Sequence, residues 1–416
     1  MPKYRCAVIG STTKGNYGHD HDKVWQQIPE CEIIAVADDH KQGLAAELKR
    51  LGVEKGYEDY REMLDKEKPQ FVSICQRWLD RHAEMAIECA SRGIHIWLEK
   101  PMCRTMKEAD AIVAACEKHK VKLAIGFQTR YSPKLPVVKQ LIREGKIGTV
   151  LEYRGRGKED TRGGGEDLWV LGTHVFNLIN YFAGDPLWCM ARVFEGGKPV
   201  TKEHVKNGPE GIGLLAGDEV HAHYGMADGA TATFDSVRGR AGNPSRFGLQ
   251  IYGSKGIIEI LTGHLPSVKI LEDSSWSPGR TGKQWVDVSS AGIGKPEPLK
   301  DGGLMGGNIL AVRDLISAAE NDRQPEASVY EARTSTEMIV SVFESHRQGG
   351  KPVKIPLENR ESPLGMLREQ EARTRKELED AIIEGIESGP STPMTKDDWV
   401  QIREEGNRMI REGRNA

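Results

Sequence analysis

Short apolar runs alternate with amphipathic runs through the first 126 residues. The runs "RCAVIG", "CEIIAVADD", "FVSIC", "IHIWLE" and "VKLAIGF" have the length and apolar content of buried strands. The runs "DHDKVWQQI", "RHAEMAIECASRG" and "TMKEADAIVAACEKHK" predict helices between them. Strands and helices that alternate in this way predict an α/β domain, with a parallel sheet covered by helices on both faces.

The pattern becomes β-rich after residue 127. The runs "DEVHAHYGM", "GATATFDSV", "SRFGLQIYGSKGIIEIL" and "HLPSVKILE" predict strands separated by turns, and "NILAVRDLISAAEN" and "ASVYEARTSTEMIVSVFESHRQ" predict two helices after them. Residues 357–416 are rich in charged side chains and predict a helical extension. Its second helix would begin at a capping box of Thr395 and Asp398, with Trp399 and Ile402 on one stripe. We interpret this extension as a segment that wraps a neighbouring subunit, with a solvated tail as the alternative.

Composition narrows the class of ligand. The chain has 416 residues and a formal net charge of -3, which excludes the strongly basic field of a nucleic-acid-binding protein and favours a small-molecule ligand. The seven cysteines form no CxxC pair, and no apolar run approaches the ~18 residues of a membrane span. His221 and His223 share one face of a predicted strand without a third ligand nearby, so no metal site is predicted. We expect a cytoplasmic protein with reduced thiols.

A glycine-rich turn follows the first strand. In "GSTTKGNYG" the glycines Gly15 and Gly18 keep the spacing of the GxGxxG fingerprint, whereas Gly10 lies three residues farther away than usual. Such a turn lets backbone NH groups approach a pyrophosphate. Asp38, at the end of the second strand, is placed to accept hydrogen bonds from a ribose and to disfavour a 2'-phosphate. We therefore expect NAD as the cofactor in preference to NADP.

The segment "GIHIWLEKPMCRTMKEAD" places an EKP tripeptide at the end of a strand and before a helix. This arrangement, with Gly18 and His21 in "GHDH", resembles the Gfo/Idh/MocA family of oxidoreductases. The segments "GFQTRYSP", "IREGKIGTVLEYRGRG", "GGGEDLWVLGTHVFNLINYFAGDP" and "EARTSTEMIVSVFESHRQGGKPVKIP" continue the resemblance in the same order. The resemblance implies a Rossmann NAD-binding domain at 1–126. It also implies a substrate and oligomerisation domain at 127–356, with an open, mainly antiparallel sheet, in a homodimer or homotetramer.

The resemblance also implies the catalytic residues. Lys100 of EKP would lie against the nicotinamide and the reacting hydroxyl, where a cation stabilises developing alkoxide. His174 of "LGTH" would act with it. The family usually has an aspartate four residues before this histidine, but the chain has Val170 there.

Three explanations of the missing acid remain open. Asp167, about two helical turns before His174, could replace the aspartate or could be only a helix N-terminal acid. His174 could instead work with Lys100 alone. In the third explanation, the site no longer performs simple alcohol oxidation. We favour His174 with Lys100, and keep Asp167 as a candidate catalytic residue.

Two further sets of residues are expected from these segments. The cofactor set is Gly10, Ser11, Thr12, Gly15, Gly18, His21, Asp38, Gln76, Arg77, Trp78, His82, Glu99, Lys100 and Gln128. The substrate set is Lys100, Arg130, Tyr131, Arg156, Lys158, Arg162, Trp169, His174 and Asn177. Its many cations favour a polyhydroxylated or anionic sugar.

Three functions follow from the sequence. The first is an NAD-dependent dehydrogenase that oxidises a secondary hydroxyl of a sugar or glycoside, with C3 as one candidate carbon. The second is a redox-neutral glycoside hydrolase of the same fold, whose members keep a histidine after threonine without the aspartate. The third is a non-catalytic NAD-binding or scaffold protein. The intact Lys100 and His174 favour an enzyme.

Overall fold

The structure is a computed structural model that describes residues 4–369, 383, 384, 400 and 404. Its first sheet has the strand order β3-β2-β1-β4-β5-β6, and every pair in it is parallel. The strands are β1 (Tyr4–Ile9), β2 (Cys31–Ala37), β3 (Gly56–Tyr57), β4 (Phe71–Ile74), β5 (His95–Leu98) and β6 (Leu123–Ile125). The helices beside them are α1 (Lys41–Leu51), α2 (Tyr60–Glu67), α3 (His82–Ser91) and α4 (Met106–His119). This is the doubly wound arrangement predicted from the alternating pattern.

Helix ends in this half follow from local chemistry. Thr105 precedes α4 and its side chain accepts a hydrogen bond from the backbone NH of Glu108, which satisfies one free donor of the first turn. Gly52 ends α1 in the left-handed conformation, with φ of 67°, which costs glycine nothing. Thr105 therefore sets the start of α4, and Gly52 sets the end of α1.

One predicted helix is wrong. The run "DHDKVWQQI" does not form an α-helix after the glycine turn; short 3-10 segments occupy Gly18–Asp20 and Val24–Gln27 instead. Asp20, the first residue of this run, has φ of 59°, a value that an α-helix of L-residues does not accommodate, and Thr13, Asn16 and His19 in the turn before it also have positive φ. The connection from β1 to β2 is therefore an irregular loop.

The second sheet is mixed and larger. Its order is β18-β17-β16-β15-β14-β7-β13-β12-β8-β19, with β9 beside β8, and β7 and β13 are its parallel pair. The strands are β7 (Val150–Arg156), β8 (Pro186–Glu195), β9 (Lys198–Pro199), β12 (Glu219–Met226), β13 (Thr231–Val237), β14 (Gly248–Gly253), β15 (Gly256–Leu261), β16 (Val268–Leu271), β17 (Val286–Ser289), β18 (Gly292–Ile293) and β19 (Val353–Lys354). A separate pair consists of β10 (Lys206–Asn207) and β11 (Leu214–Leu215). The mainly antiparallel sheet that the family resemblance implied is present.

The second half of the chain has six helices among the described residues, and α7 and α10 cover one face of the mixed sheet. The six are α5 (Lys134–Arg143), α6 (Gly165–Val170), α7 (Gly172–Ala183), α8 (Pro278–Thr281), α9 (Gly303–Glu320) and α10 (Val329–Arg347). Short 3-10 segments lie at Gln128–Tyr131 and Lys202–His204 in this half and at Leu79–Arg81 in the first. Along β13 every second residue is buried, as expected for a sheet covered on one face. The Phe234 ring lies 4.8 Å from that of Phe176 on α7, and the Tyr224 hydroxyl donates to the Met338 carbonyl of α10 at 2.9 Å. These contacts fix α7 and α10 on the sheet.

The opposite face of the mixed sheet carries exposed side chains. Leu187 and Met190 of β8 are exposed there, and His221 lies between the carboxylates of Asp235 (2.5 Å) and Glu219 (2.7 Å). The described residues contain no cluster of three or more His, Cys, Asp or Glu side chains arranged to hold a metal ion. Oligomerisation through this face stays a prediction.

The two sheets share a core. Ala311, Val312 and Leu315 of α9 pack with Val8 of β1 and with Trp25, so a helix from the second half completes the first. The chain from Met1 to Leu367 forms one compact unit. The domain boundary at residue 126 therefore stays a sequence-based prediction.

Residues 368–416 form a second unit. Its residues 383, 384, 400 and 404 are helical. The predicted capping box of Thr395 and Asp398 and the stripe of Trp399 and Ile402 lie outside the described residues. None of the described helices is long and apolar enough to cross a membrane.

Replacing Phe234 tests the packing of α7 on the sheet. Phe234→Ala removes a fully buried ring, so the free energy of unfolding is expected to fall by about 3–5 kcal/mol. Urea denaturation followed by tryptophan fluorescence measures the loss. Leu187→Ala, at a side chain that is 51% exposed, is the control and is expected to change stability by less than about 0.5 kcal/mol. Equal losses in both variants would contradict the packing described.

Candidate active site

Lys100 reaches from the end of β5 to the second half of the molecule. Its ammonium Nζ donates a hydrogen bond to the backbone carbonyl of Val170 at 2.8 Å. Burial lowers the pKa of Lys100, the charges of Glu99 and Glu210 act against this, and Arg162 and Arg77 reinforce it. The EKP lysine is thus a largely desolvated cation with a main-chain partner.

A break in the helix makes that partner available. α6 ends at Val170 and α7 begins at Gly172, and Leu171 between them has φ of -125°. In a continuous helix the Val170 carbonyl would accept from the backbone NH of His174. Here that NH bonds to the Leu171 carbonyl at 3.0 Å, so the Val170 carbonyl can bind Lys100. The position that usually carries an aspartate thus contributes its backbone oxygen.

His174 lies in the first turn of α7 beside Lys100. Its ring packs edge-on against Phe127, with centroids 5.8 Å apart. Burial, reinforced by the neighbouring Lys100 cation, lowers the pKa of His174 to about 3. The imidazole is therefore neutral at neutral pH, able to donate one hydrogen bond and accept one.

Asp167 does not take the place of the missing aspartate. Its carboxylate oxygen Oδ2 accepts from Ser236 Oγ at 2.6 Å and from the backbone NH of Glu159 at 3.0 Å. Because the helix breaks at Leu171, the expectation of two continuous turns between Asp167 and His174 is wrong. The alternative, an acid in the first turn of a helix, agrees with its place in α6. The other oxygen, Oδ1, is buried without a partner among the described residues.

Glu99 lies between two histidines. His19 Nδ1 is 2.8 Å from Glu99 Oε1, and His21 Nε2 is 2.9 Å from Glu99 Oε2. Burial acts to raise the pKa of Glu99, but His21 and His19 outweigh it, so that pKa lies well below the ordinary value. His21 stacks on Trp97 at 4.5 Å and is fully buried. His21, predicted to contact the cofactor, therefore supports Glu99 from the core.

His19 was not predicted as a site residue from the sequence. It belongs to the same "GHDH" run as His21, but the family spacing selects only the second histidine. The available signal was a histidine next to the third glycine of the turn. Propensity gave no reason to expect its left-handed backbone.

The glycine turn, which the resemblance assigns to the pyrophosphate of the cofactor and which we call the nucleotide cradle, packs closely against Arg77. Gly15 has φ of +90°, and a Cβ there would lie 2.7 Å from the Arg77 backbone nitrogen. A Cβ at Gly18 would lie 2.5 Å from Arg77 Cγ. Only glycine allows this approach. The Arg77 guanidinium then pairs with Glu210 at 2.9 Å, so the cradle is bordered by the loop between β10 and β11.

Asp38 stands where the second strand ends, as predicted. Its carboxylate accepts hydrogen bonds from Thr12 (NH at 3.1 Å, Oγ1 at 2.6 Å), from the Tyr17 hydroxyl at 2.8 Å and from the His40 NH at 2.9 Å. Ser11 Oγ donates to neighbouring Asp39 at 2.9 Å. A cavity of about 160 Å³ beside these acids is lined by Gly10, Asp38, Asp39, Tyr60, Arg61 and Arg81, among others. The hydroxyls of a ribose can donate hydrogen bonds to the Asp38 carboxylate, as the hydroxyls of Thr12 and Tyr17 do. The surroundings of Asp38 therefore fit the ribose of NAD.

Buried polar atoms without partners also mark the cleft. Gln76 Oε1, just beyond β4, and Asn308 Oδ1, on α9, are buried acceptors without a partner among the described residues. Gln76 is otherwise held by a hydrogen bond from Nε2 to the Trp78 carbonyl at 2.8 Å. Gln128 packs against Gly307 of α9. A carboxamide NH2 group or a hydroxyl would satisfy such acceptors, which is a second sign that the cleft fits the cofactor.

Two predicted ligand contacts are structural instead. His82, predicted for the cofactor, is buried with its ring nitrogens 2.9 Å from the Pro101 carbonyl and 2.7 Å from the Gln76 carbonyl. It therefore ties β4 to the EKP segment. Tyr131, predicted for the substrate, donates to Asp314 Oδ2 at 3.3 Å and accepts from the Ala327 NH at 3.1 Å. Its hydroxyl joins the segments around α9 and α10.

Most predicted substrate cations are paired with acids. Arg156 makes two hydrogen bonds of 3.0 Å to Glu159, and it lines a cavity of about 740 Å³ on the mixed sheet. Lys158 and Arg162 both pair with Asp160, at 3.6 Å and 2.6 Å. Of these, Arg162 lies close enough to Lys100 to affect its pKa. The contacts given for Arg156 and Lys158 do not join them to Lys100.

The helix that carries His174 presents further polar groups. Both amide atoms of Asn177, one turn after His174, are buried without a partner among the described residues. Arg130 donates to the Asn177 carbonyl at 3.4 Å and lies over the Tyr181 ring at 4.5 Å. Trp169 is buried and lines an apolar cavity of about 170 Å³ with Met106, Phe343 and Leu364. Asn177 and Arg130 stay candidates for substrate contacts.

Comparison with known sequences agrees with both halves of this architecture. A model described as "Oxidoreductase family, NAD-binding Rossmann fold" matches residues 4–127, and one described as "Oxidoreductase family, C-terminal alpha/beta domain" matches residues 139–355. The chain belongs to the Gfo/Idh/MocA oxidoreductase family. Residues 4–127 are therefore the NAD-binding Rossmann domain of that family, as the EKP segment indicated.

Several curated relatives are named as dehydrogenases of a sugar or a polyol. Levoglucosan dehydrogenase of Pseudarthrobacter phenanthrenivorans is 28% identical over 56% of this chain and 65% of its own length. D-apiose dehydrogenase of Paraburkholderia graminis is 31% identical over 44% of this chain and 51% of its own length. Myo-inositol 2-dehydrogenase of Thermotoga maritima is 26% identical over 61% of this chain and 74% of its own length. The matches thus span about half to three quarters of these relatives.

Solved Gfo/Idh/MocA structures share the fold. Levoglucosan dehydrogenase in complex with NADH and L-sorbose superimposes with a TM-score of 0.68 over 86% of this chain and 100% of that chain, at 22% identity. Aldose-aldose oxidoreductase from Caulobacter crescentus, complexed with glycerol, superimposes with a TM-score of 0.64 over 85% of this chain and 100% of that chain, at 17% identity. At these identities the likeness establishes the fold alone.

The low pKa of His174 has a consequence for stability. Unfolded, this side chain has a pKa near 6.5; folded, it has a pKa of about 3. Between these values the unfolded chain binds a proton that the folded chain does not, so stability falls as pH is lowered through this window. His174→Gln removes this contribution, and we expect its stability to fall less steeply between about pH 7 and pH 4.5. Urea midpoints at each pH measure how steeply stability depends on pH. His119→Gln on α4 is the matched control. An equal dependence on pH in His174→Gln and in the parent would refute the assignment.

Proposed function

We propose that the protein oxidises a secondary hydroxyl of a sugar, polyol or glycoside with NAD as the oxidant. The observation that carries the proposal is the desolvated Lys100 ammonium, fixed at 2.8 Å on the Val170 carbonyl beside a neutral His174. A fixed cation and a neutral imidazole at the end of a parallel strand, next to a nucleotide cradle, are suited to a reaction that develops negative charge on oxygen.

Binding of the cofactor is assigned to residues of the Rossmann half. Gly15 and Gly18 would admit the pyrophosphate, and Asp38 would receive the ribose hydroxyls in exchange for its Thr12 and Tyr17 donors. When bound, NAD supplies a nicotinamide that accepts the carbinol hydrogen with its electron pair, while the hydroxyl proton passes to the protein and the C–O bond becomes C=O.

Lys100 stabilises the alkoxide character that develops as the hydroxyl proton leaves. Its burial strengthens this effect, since a charge interaction in a desolvated site exceeds the same interaction in water. The lowered pKa of Lys100 also brings its proton closer to exchange at neutral pH. His174, neutral because of its low pKa, hydrogen-bonds the same hydroxyl and orients it.

The substrate class follows from the polar groups and the relatives together. Asn177 offers an unpaired donor and an unpaired acceptor one turn from His174, which suits a neighbouring hydroxyl. The names of the relatives cover an anhydrosugar, an aldose and an inositol. A ring with adjacent hydroxyls is their common chemistry, and C3 of a hexose or hexoside is the first position to test.

One feature favours a second candidate. The sequence has "LGTH" at Leu171–His174 and no carboxylate at Val170, the combination of the redox-neutral glycoside hydrolases described above. In that reaction the oxidised cofactor would be regenerated within each turnover.

Product analysis separates these functions. Purified protein is incubated with NAD and a panel of aryl glycosides, aldoses, inositols and anhydrosugars, while NADH absorbance is followed and products are identified by mass spectrometry. We expect a keto product formed in step with NADH. Aglycone released without net NADH would support the hydrolase instead, and tight NADH binding without turnover of any panel member would support the non-catalytic function.

Lys100→Met tests the role of the ammonium while keeping the length of the side chain. Without the cation the alkoxide loses its main stabilising charge, so kcat is expected to fall by about 100-fold or more with NADH affinity retained. Initial rates and NADH fluorescence titration measure the two quantities. Lys118→Met, on an exposed turn of α4, is the matched control and is expected to behave as the parent. Parental kcat in Lys100→Met would contradict the proposed mechanism.

A further inference from the structure

The cavity that Trp169 lines is separate from the cleft described above. It has a volume of about 170 Å³, and the residues that line it include neither Lys100 nor His174 nor any residue of the glycine turn. The starts of α4 and β11, α6, α10 and residues 361–364 enclose it. Most of its wall is apolar and comes from Met106, Trp169, Ile212, Leu214, Phe343 and Leu364. We call it the Trp169 cavity.

Trp169 carries a hydrogen-bond donor that the protein does not use. Its side chain is 4% exposed, and its indole Nε1–H is buried without a partner among the described residues. An indole nitrogen can only donate, and a buried donor without an acceptor destabilises the fold. A ligand that brings an acceptor into the cavity would supply the missing hydrogen bond.

The start of α4 adds further donors at the same cavity. Thr105, the N-cap of this 14-residue helix, and Met106, its first residue, both line the cavity. The Thr105 side chain accepts from the backbone NH of Glu108 at 3.1 Å, whereas the NH groups of Met106 and Lys107 have no acceptor within the helix. The aligned peptide dipoles place roughly half a unit of positive charge at this end. An anion in the cavity is therefore stabilised.

One base and one acid line the cavity, and each is already paired. Arg104 donates to Glu108 through Nε at 3.1 Å and through NH2 at 2.6 Å. Glu361 pairs with Lys107, and both of these side chains are exposed. The acid is thus neutralised by its partner and does not select a cationic ligand. The unused polar groups of the wall are the donors of Trp169 and α4.

The volume of the cavity limits the ligand to a small molecule. An apolar cavity of about 150 Å³ accommodates a molecule of the size of benzene. The Trp169 cavity, at about 170 Å³, therefore suits a single ring or a short alkyl chain. Its apolar wall requires a hydrophobic body, and its donors require an acceptor at one end of that body.

We propose that the Trp169 cavity is a second ligand site, which binds a small apolar carboxylate. The carboxylate accepts hydrogen bonds from Trp169 Nε1 and from the start of α4, and the apolar body contacts Phe343 and Leu364. Trp169 directly precedes Val170, whose carbonyl binds Lys100, so the site lies next to the active centre in the chain. The inference does not depend on the proposed oxidation.

A titration with benzoate tests the site in the full chain loaded with NADH, so that the nucleotide cradle is filled. In protein labelled with ¹⁵N-tryptophan, benzoate should cause a saturable shift of the Trp169 indole NH signal, which is assigned by its loss in Trp169→Phe. Benzamide has the same shape without the charge. It is expected to bind about tenfold more weakly, because hydrogen bonds to an ionised acceptor are stronger. A Trp169 signal that benzoate does not move, or equal affinities for the two probes, would overturn the proposal.

Trp169→Phe removes the indole NH and keeps an aromatic ring. Calorimetric titration of this variant with benzoate should give a dissociation constant about tenfold higher than that of the parent. Trp285→Phe, at a tryptophan that is 37% exposed, is the matched control and is expected to bind benzoate as the parent does. Parental affinity in Trp169→Phe would show that benzoate binds elsewhere.

Arg104→Gln is a second variant, which tests the preference for an anion. It leaves Glu108 without its cation beside the start of α4, so the affinity for benzoate is expected to fall about fivefold. Arg143→Gln, at the exposed end of α5, is its control. The thermal midpoint of each variant checks that it is folded. An affinity for benzoate in Arg104→Gln equal to that of the parent would contradict the proposed binding of an anion at this helix end.

Discussion

The hydrogen bond from Lys100 to the Val170 carbonyl is the contact on which the cleft depends. It joins the end of a strand in the Rossmann half to the end of a short helix in the second half. The bond exists because the helix breaks at Leu171, which frees a carbonyl that an unbroken helix would use internally. A main-chain oxygen cannot titrate or change rotamer. The lysine is thus fixed by an acceptor whose strength does not vary with pH, where a carboxylate would also have added negative charge.

Burial of Glu99 imposes a second constraint. An unpaired carboxylate in a protein interior is costly, so it must face cations or hydrogen-bond donors. Glu99 faces His19 and His21 and is followed directly by Lys100. His21 stacks on Trp97 and contacts the carboxylate from the core. His19, which is partly exposed, contacts the other carboxylate oxygen. In the EKP segment, Glu99 therefore contacts the two histidines, and Lys100 contacts the Val170 carbonyl.

The sequence predicted what depends on periodicity and order along the chain. The parallel strands and the β-rich second half follow from patterns longer than one turn, and the convergence of EKP with "LGTH" follows from the family resemblance. The sequence-based prediction failed where a few backbone angles determine whether a segment is helical. The positive φ values from Thr13 to Asp20 are not visible in propensities, so a helix was predicted to begin at Asp20 and His19 was missed. Similarly, the spacing of Asp167 and His174 has meaning only along a continuous helix. Gly172, where a Cβ would lie 2.9 Å from the Phe234 ring, was the available hint of a break.

At the irregular glycine turn, a side chain provides the positive charge that a helix N-terminus usually provides. In the usual arrangement a helix begins behind the turn, and its N-terminus contributes roughly half a unit of positive charge toward a pyrophosphate. Here the described residues after Gly18 form 3-10 turns, in which the backbone dipoles do not align over several turns. Arg77 packs against both Gly15 and Gly18 and brings a full positive charge to the same place. Because its guanidinium also pairs with Glu210 at 2.9 Å, that charge is shared with the second half of the chain. Arg77 therefore joins the glycine turn to the loop between β10 and β11.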